Sequence, residues 1–239
     1  MITLRIGSRA TEVVLLQRLL NVHFETDRTV PGIDEDGVFG RQTETLLRRF
    51  QETYRGAMGR QIVDAVAGHN TWRALGLRGD VAWPVTQLGQ NTSMTCWVVC
   101  AGLATGRMAS TVPATARFNA ANMSYADGRA PGGMDSDVPN IANYARDNGM
   151  RVAVTMPNSV EGLLSHLRAG PAILIGRRGG GGGLHAVVIS GAYVAARNSD
   201  SMIRISNPSP MGRGGIEITG FPTMAIENNR FLPLDLIIK

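Results

Sequence analysis

The sequence predicts two domains: a small all-α domain of three helices, then an α+β domain in which helices precede an antiparallel sheet. Three observations predict this arrangement. Apolar residues recur at helical spacing in the first third of the chain, short apolar runs typical of strands dominate the last third, and a stretch punctuated by Gly and Pro lies between them. We therefore place the domains at residues 1–79 and 87–239, joined by a linker at 80–86.

The first domain contains an internal repeat. The segment Asp36-Gly37-Val38-Phe39-Gly40-Arg41-Gln42-Thr43 precedes one helical pattern, and Asp64-Ala65-Val66-Ala67-Gly68-His69-Asn70-Thr71 precedes another. In both copies an Asp starts a tight turn and a Thr stands where a helix begins. A third helix is predicted upstream, where Val13, Leu16 and Leu20 recur at helical spacing. On this pattern alone, the domain is a helical bundle with stabilising turns.

A family resemblance adds a function to this bundle. The first turn at Asp36–Gly40 and Thr43, with residues 4–8, 14–20, Phe50-Gln51 and Thr71-Trp72, resembles the peptidoglycan-binding domain found on many bacterial wall hydrolases. The resemblance implies a groove between helices that holds glycan or stem peptide. It places four residues near that groove, namely Asp36, Phe39, Gly40 and Thr43.

The elements of the second domain follow from apolar patterns and their end signals. An almost wholly apolar helix is predicted from Trp97 onward, and two more at 137–148 and 159–167, which end near Gly149 and before Gly170-Pro171. Strands are predicted at 172–175, 186–189 and 203–205, with two further candidates at 216–219 and 234–238. Helices first and strands second indicate an α+β domain.

The apolar helix carries both cysteines of the chain, Cys96 and Cys100. Ser93 and Thr95 are both plausible caps, so Cys96 is expected in the first helical turn. There, unpaired backbone N–H groups and the positive end of the helix favour a thiolate. Cys100 lies deeper and is expected to be a small buried side chain, which is also the ordinary alternative for Cys96.

Three polar residues provide partners for a cysteine nucleophile. His185 opens a predicted strand, and Asn207 follows the next strand, just before Pro208. Each alone fits an ordinary strand end or turn. Together they supply a base and a group that orients it, both of which a nucleophilic thiol needs. Gln90, six residues before Cys96, is expected to donate a hydrogen bond to the oxyanion formed in acyl transfer.

These residues, in this chain order and local context, resemble the motifs of papain-like cysteine peptidases. The matching segments are Gln90, Cys96-Trp97, His185-Ala186-Val187 and Ser206-Asn207. The resemblance implies a papain-like catalytic domain in which Cys96 is the nucleophile and His185 the general base. It further implies that Asn207 orients the imidazole and that Gln90 lines the oxyanion hole.

Three more residues are expected beside the substrate. We expect Trp97, Gly183 and Leu184 to line the cleft of the catalytic domain. The glycine run at 179–183 would then form a mobile lip whose bare backbone can pair with an extended peptide. The alternative is an ordinary flexible loop.

The leading expectation is a cysteine peptidase or amidase that acts on peptide bonds through an acyl-enzyme and is targeted to bacterial peptidoglycan. An antibacterial effector toxin, with a secretion machinery and a cognate immunity protein as partners, fits this picture, as does a phage lysis enzyme. Two alternatives stay open. The enzyme could cleave proteins in a target cell and use the wall module only for delivery, or the chain could be a non-catalytic wall-binding protein.

Composition sets the remaining expectations. The net charge is +5, but the basic residues are scattered, which argues against a nucleic-acid partner. No apolar run is long enough for membrane insertion. The N-terminus lacks a basic region followed by an apolar core, so we expect synthesis in the cytoplasm and export by a route without a classical signal peptide. Two cysteines without zinc-ligand spacing predict no metal and no cofactor.

Overall fold

The computed structural model describes residues 2–58, 63–92, 95–107, 118–119, 124–125, 138–153, 156–179, 183–221, 224–227 and 229–239. The chain divides into two compact units, Met1–Asp80 and Val81–Lys239. Within the described ranges, no helix combines the length and apolar character needed to cross a membrane.

The first unit is built from three helices, which confirms the predicted helical N-terminal region. They are α1 (Thr11–Phe24), α2 (Arg41–Met58) and α3 (His69–Ala74). Their shared core contains the fully buried side chains Leu16, Leu20, Leu47, Phe50 and Trp72. The two turn segments also hold the N-terminal residues in place, because Leu4 bridges Ala67 and Arg9 bridges Val38 through the backbone.

A buried glutamine organises the first turn. Gln17 on α1 donates from Nε2 to Asp36 Oδ1 (2.8 Å) and to Thr43 Oγ1 (3.2 Å). Its Oε1 accepts the backbone N–H of Gly37 (3.0 Å). Because the amide both donates and accepts inside the unit, it satisfies polar groups of the turn that would otherwise be buried unpaired.

The second turn repeats this arrangement residue for residue. Gln51 on α2 donates to Asp64 Oδ1 (3.0 Å) and to Thr71 Oγ1 (3.3 Å), and it accepts the N–H of Ala65 (2.9 Å). Ala65 has a positive φ of 57°, like Gly37 at 74° in the first copy. An alanine therefore adopts a left-handed conformation that usually favours glycine, and the Gln51 hydrogen bonds hold it there.

Within the described residues, the second unit is a mixed α+β structure with three α-helices and a curved antiparallel sheet. The helices are α4 (Cys96–Thr105), α5 (Val138–Asp147) and α6 (Val160–Leu167). The strands are β1 (Gly79–Ala82), β2 (Phe118–Asn119), β3 (Ser124–Tyr125), β4 (Arg151–Val152), β5 (Ala172–Arg178), β6 (Leu184–Val194), β7 (Met202–Asn207), β8 (Gly215–Gly220), β9 (Ala225–Ile226) and β10 (Asn229–Ile238). This outcome confirms the α+β class. The predicted cap Ser93 and Asp137, the first residue of the predicted helix 137–148, lie outside the described residues.

The main sheet has the strand order β4-β10-β5-β6-β7-β8, with β1 paired to β6 and β9 paired to β10. Strands β2 and β3 pair separately. The sheet curls, so that β8 approaches β9: the backbone N–H of Ala225 donates to Thr219 Oγ1 (2.9 Å). This curvature brings polar groups from strands that are distant in sequence to one end of the sheet.

The start of the second unit differs from the linker predicted at 80–86. Strand β1 includes Val81 and Ala82 and pairs with β6. The backbone N–H of Trp83 donates to Ser190 O (2.8 Å), and its indole N–H donates to Leu167 O (2.7 Å). Backbone pairing outweighed the Gly and Pro signals, so residues 80–82 of the predicted linker belong to the sheet.

Side chains of the central strands alternate between two apolar clusters, as the twofold period of a strand requires. Ala186 and Val188 pack with α4 and α5 on one face, whereas Val187 and Ile189 pack with α6 on the other. The sheet therefore lies between two buried layers. Helix α4 is apolar all round because nine of its ten residues, Cys96 through Ala104, are buried.

The glutamine network predicts a specific loss of stability in the first unit. Replacing Gln51 with Met keeps the length of the side chain but removes the hydrogen bonds to Asp64, Ala65 and Thr71. We expect Gln51→Met to lower the free energy of unfolding by about 2–4 kcal/mol, since buried donors and acceptors lose their partners. The measurement is urea unfolding of the full chain. Gln42→Met, at an exposed position of the same helix, should change stability by less than about 0.5 kcal/mol, and equal effects of both variants would contradict the role of the network.

Candidate active site

Strand pairing brings His185 and Asn207 together. Val188 pairs with Ser206 and Ile189 with Ile205, so continuing the register sets Val187 opposite Asn207 and puts His185 diagonally next to it on the same face. His185 Nε2 lies 2.9 Å from Asn207 Oδ1, and both side chains are buried. Two of the residues predicted to form the site therefore meet at the end of the sheet.

The hydrogen bonds around Asn207 define which nitrogen of His185 carries the proton. The backbone N–H of Ser209 also points at Asn207 Oδ1 (3.0 Å), so that atom must be an acceptor. His185 Nε2 is then the donor in the bond to the same oxygen. In the neutral ring this leaves Nδ1 with a free lone pair, which is the form that can accept a proton.

Cys96 is the first residue of α4, and it approaches the same strand. The residue before it, Thr95, occupies the cap position, but its hydroxyl interacts with Thr92 (3.2 Å to the backbone N) and does not cap the helix. The Cys96 sulfur instead receives hydrogen bonds from the backbone amides of Ala186 and Trp97. Because Ala186 directly follows His185, this contact brings the thiol to the strand that carries the imidazole.

Burial dominates the electrostatics of both groups. It raises the pKa of the Cys96 thiol, against the weaker opposing effects of the Ala186 and Trp97 amides and of Arg178. Burial also lowers the pKa of His185 to about 4, although the hydrogen bond to Asn207 opposes this shift. The prediction of a thiolate at the helix start is therefore wrong for the resting structure. The loss of solvation disfavours the thiolate more than the N–H groups around it favour it. Both the thiol of Cys96 and the imidazole of His185 are therefore neutral at rest.

Cys100 lies one turn further along α4 and is completely buried. Burial raises the pKa of the Cys100 thiol well above its ordinary value, and the nearby Cys96 adds to this effect. It packs among the apolar residues between α4 and the sheet. Cys96 therefore contacts the strand that carries His185, whereas Cys100 lies within the apolar core.

Gln90 is held against the turn that follows Asn207. Its backbone N–H donates to Pro208 O (2.9 Å), and its carbonyl accepts the N–H of Gly212 (2.9 Å). Gln87 on the same segment donates to Asn207 O (2.9 Å). Among the described residues, the buried Gln90 Oε1 has no hydrogen-bond partner. Buried polar atoms nearly always have a hydrogen-bond partner, so a buried amide oxygen without one is typical of a functional site.

The close contact between these two segments depends on a glycine. Gly214 has a positive φ of 64°, and a Cβ there would collide with the Gln87 side chain and with the Leu88 carbonyl. Only glycine both adopts this conformation readily and lets the 87–90 segment lie against the turn. The chain therefore fixes the Gln90 backbone next to Asn207.

Three charged residues of the site were not predicted from the sequence. Asn207 Nδ2 donates to Glu217 Oε1 (2.9 Å) and to Glu227 Oε1 (3.3 Å), and Arg178 forms an ion pair with Glu227 (3.4 Å). Glu217 stands between two isoleucines in a predicted strand, which is a weak signal that could have identified it. Glu227 and Arg178 carry no local signal, because strand pairing alone brings them here.

The residues expected to line the catalytic cleft divide into two groups. Trp97 is only 2% exposed and packs edge-on against Tyr144, whose hydroxyl donates to Trp97 O (2.6 Å). Contrary to the expectation, its ring is part of the core. Gly183 is exposed and Leu184 is 40% exposed, so both are accessible beside His185. The rest of the predicted lip, residues 180–182, lies outside the described residues.

The residues expected at the wall-binding groove also stabilise the first turn. Phe39 and Thr43 are 1% and 2% exposed, so both are turned into the unit. The carboxylate of Asp36 is exposed and accepts hydrogen bonds from Gln17 and from the Val38 backbone. The N–H of Gly40 is bonded to Val38 O (2.8 Å). A role of these residues in binding the wall stays a prediction.

A different part of the first unit forms an open groove. Its volume is about 340 Å³, and it lies between residues 30–33 and the outer face of α2. The helix contributes Arg41, Gln42, Thr45, Leu46 and Arg49. These residues recur three to four apart, so they share one face of the helix, opposite to the face that carries Thr43, Leu47 and Phe50 into the core.

No cluster of three or more His, Cys, Asp or Glu suited to a metal ion occurs in the part of the chain that the structure describes.

Comparison with known proteins bears on the first unit. Residues 9–75 match the family model of a peptidoglycan binding domain, a range that spans all three helices and both copies of the turn. The match supports peptidoglycan binding and an association with the cell wall. A search of curated proteins found none that matches the chain.

The lowered pKa of His185 predicts a loss of stability in acid. The unfolded chain binds a proton at His185 below about pH 6.5, whereas the folded chain does so only near pH 4. The free energy of unfolding should therefore fall as the pH drops through this window, by about 2–3 kcal/mol from this group alone at pH 4.5. We expect the thermal midpoint of the wild type to fall more between pH 7 and pH 4.5 than that of His185→Gln. Parallel curves for the two proteins would contradict the buried neutral imidazole.

Proposed function

We propose that residues 81–239 form a cysteine peptidase or amidase and that the first unit directs it to peptidoglycan. One observation carries the catalytic part of the proposal: the buried hydrogen bond between His185 and Asn207 beside the N-terminus of the Cys96 helix. This bond leaves the basic nitrogen of His185 available, and the Cys96 sulfur contacts the backbone N–H of the adjoining Ala186.

The first chemical step transfers the thiol proton. As Cys96 Sγ attacks the carbonyl carbon of a peptide bond, its proton moves to His185 Nδ1, and the carbonyl oxygen becomes an oxyanion. Because both groups are neutral at rest, we infer that proton transfer accompanies the attack and does not precede it. The Asn207 oxygen, bonded to Nε2, stabilises the imidazolium that forms.

The oxyanion needs donors at the place where its charge develops. The backbone N–H of Cys96 at the start of α4 is one candidate, and the side-chain amide of Gln90 is the other. Preorganised donors of this kind stabilise the transition state more than the ground state. The backbone hydrogen bonds of Gln90 to Pro208 and Gly212 support this role, because they hold the residue in place before substrate binds.

The second half of the reaction restores the enzyme. The imidazolium gives its proton to the departing amine, the C–N bond breaks, and an acyl-enzyme remains on Cys96. Water then attacks the acyl carbon while His185 Nδ1 takes its proton. Collapse of this intermediate releases the carboxylic acid and returns the proton to the Cys96 sulfur.

The wall supplies peptide bonds that such a site could cleave. The groove along α2 is our candidate for the wall-binding surface, since it is open and its lining combines apolar side chains with amide, hydroxyl and guanidinium groups. Such a lining suits a ligand with both sugar and peptide character. Binding there would concentrate the catalytic unit on its substrate.

The two cysteines provide a matched pair for testing the nucleophile. We expect Cys96→Ala to abolish product formation from purified sacculi and from denatured protein, whereas Cys100→Ala should keep most of it. Iodoacetamide should modify Cys96 faster than Cys100, because Cys100 is completely buried. Mass spectrometry identifies both the modified cysteine and the cleaved bond. If Cys100→Ala were the inactive variant, or if Cys96→Ala kept its activity, the nucleophile would be misassigned.

Three further variants rank the partners of the nucleophile. His185→Ala should remove nearly all activity, because general-base catalysis contributes about 10²–10⁴-fold and the thiol loses its proton acceptor. Gln90→Ala should slow acylation by about 10²–10³-fold with little change in substrate affinity. Asn207→Ala should leave measurable activity, since it orients the ring and moves no proton. Single-turnover rates provide the ranking, and full activity of Gln90→Ala would exclude the proposed oxyanion hole.

The groove makes a separate prediction about targeting. Thr45→Trp should fill the groove and reduce retention of the full chain by insoluble peptidoglycan in a pull-down at low salt. Arg73→Trp introduces the same bulk at an exposed position of α3 outside the groove and should bind like the wild type. Equal retention of both variants would place the wall-binding surface elsewhere.

A further inference from the structure

We propose that Glu217 and Glu227 are positioning residues that act as an acid clamp on the Asn207 amide and thereby determine which tautomer of His185 faces the nucleophile. This inference rests on the proposed function of the second unit and extends it to two residues beyond the expected site. The clamp is the pair of hydrogen bonds from Asn207 Nδ2 to Glu217 Oε1 (2.9 Å) and Glu227 Oε1 (3.3 Å).

An asparagine side chain needs such a clamp because its two ends have nearly the same shape. If the amide of Asn207 turned over, its oxygen would face two carboxylates and its NH₂ group would face the Ser209 N–H and His185. His185 Nε2 could then only accept, and the proton would move to Nδ1. A ring protonated at Nδ1 has no lone pair for the proton of Cys96.

The clamp is itself held in place by strand pairing. Glu217 pairs with Ile205 across β7 and β8, and its second oxygen accepts the backbone N–H of Glu227 (2.8 Å). Glu227 has a positive φ of 52°, a conformation uncommon for residues other than glycine. Its remaining oxygen forms the ion pair with Arg178 (3.4 Å). Both oxygens of both glutamates are therefore engaged, and neither side chain is free to turn away from Asn207.

Exchange of Asn207 for Asp should affect the two ends of this side chain differently. Exchange for Asp keeps the oxygen that faces His185, but it sets a second carboxylate oxygen against Glu217 and Glu227. Carboxylates that share a site cannot all ionise, so the pKa of one of them should rise well above its ordinary value. Changing Glu217 to Gln in the same protein supplies an NH₂ donor for the new carboxylate and leaves one oxygen to accept the Glu227 N–H.

The experiment uses the full chain in five forms: wild type, N207D, E217Q, the double variant N207D/E217Q, and E161Q as the control. Glu161 is exposed on α6, so E161Q removes the same charge away from the site. The first readout is the tautomer of His185 from ring ¹⁵N chemical shifts, assigned among the four histidines with His185→Gln. The second is the rate of Cys96 alkylation by iodoacetamide, with Cys100 as the internal reference. The third is the thermal midpoint as a function of pH.

We expect wild type and E161Q to hold His185 as the Nε2–H tautomer. E217Q should populate the Nδ1–H form and slow alkylation of Cys96 by about tenfold. The loss of one well-placed hydrogen bond to a carboxylate typically changes an equilibrium by about this factor. The thermal midpoint of N207D should fall as the pH rises through the raised carboxyl pKa, because the folded state then loses the proton that relieves the repulsion. N207D/E217Q should show a smaller fall, because only Glu227 then still faces the new carboxylate.

Two results would overturn the clamp. One is a wild-type tautomer and alkylation rate in E217Q, and the other is the same pH dependence of stability in N207D and N207D/E217Q. If E217Q were too unstable to assay, the double variant, in which the new amide at position 217 supplies a donor to the new carboxylate at position 207, would still test the inference. Failure of the proposed function is recognised separately, because wild type would then release no product from sacculi or denatured protein while the tautomer measurements still report on the clamp.

Discussion

The candidate active site depends on the antiparallel pairing of β6 with β7. A shift of one residue in this register would turn His185 and Asn207 to opposite faces and would send Val187 and Ile205 out of their cluster. The register is well determined because both faces of the sheet are covered, one by α4 and α5 and the other by α6. The apolar packing that stabilises the sheet is therefore also what brings the imidazole to the amide. A polar pair at the end of such a sheet needs no loop to position it.

Local sequence patterns were sufficient to identify the principal polar residues of the site. Cys96 at a helix start, His185 at a strand start and Asn207 before a proline each had a recognisable context, and the curled sheet brings His185, Asn207 and the Gln90 backbone together. The order of helices and strands was predicted for the same reason, since it follows from apolar periodicity. The strand at Gly79–Ala82 was missed because its pairing partner, β6, lies about a hundred residues away in the chain.

What the sequence could not predict depends on burial and on contacts across strands. The charge state of Cys96 was misjudged because burial disfavours a thiolate more than the start of the helix favours it. The expected wall-binding residues also have a structural role that the sequence did not reveal. Asp36 and Thr43 are the partners of a buried glutamine in the first copy of the turn, and Gln51 repeats the arrangement in the second. A motif that is specific in sequence can thus reflect the needs of a buried hydrogen-bond network as well as the position of a ligand.

A neutral resting pair has a consequence for how the proposed chemistry gains its rate. If thiol and imidazole are both uncharged before substrate arrives, the buried site carries no desolvated ion pair in the ground state. Charge develops only during the attack, as an imidazolium next to Asn207 and an oxyanion next to the start of α4. Groups fixed in advance at those two places stabilise the transition state and leave the ground state unchanged, which is the condition for catalysis by differential binding. Glu227 favours the imidazolium directly, but its ion-pair partner Arg178 disfavours it more strongly. On this view the main contribution of Glu217 and Glu227 is to hold the amide that orients the ring.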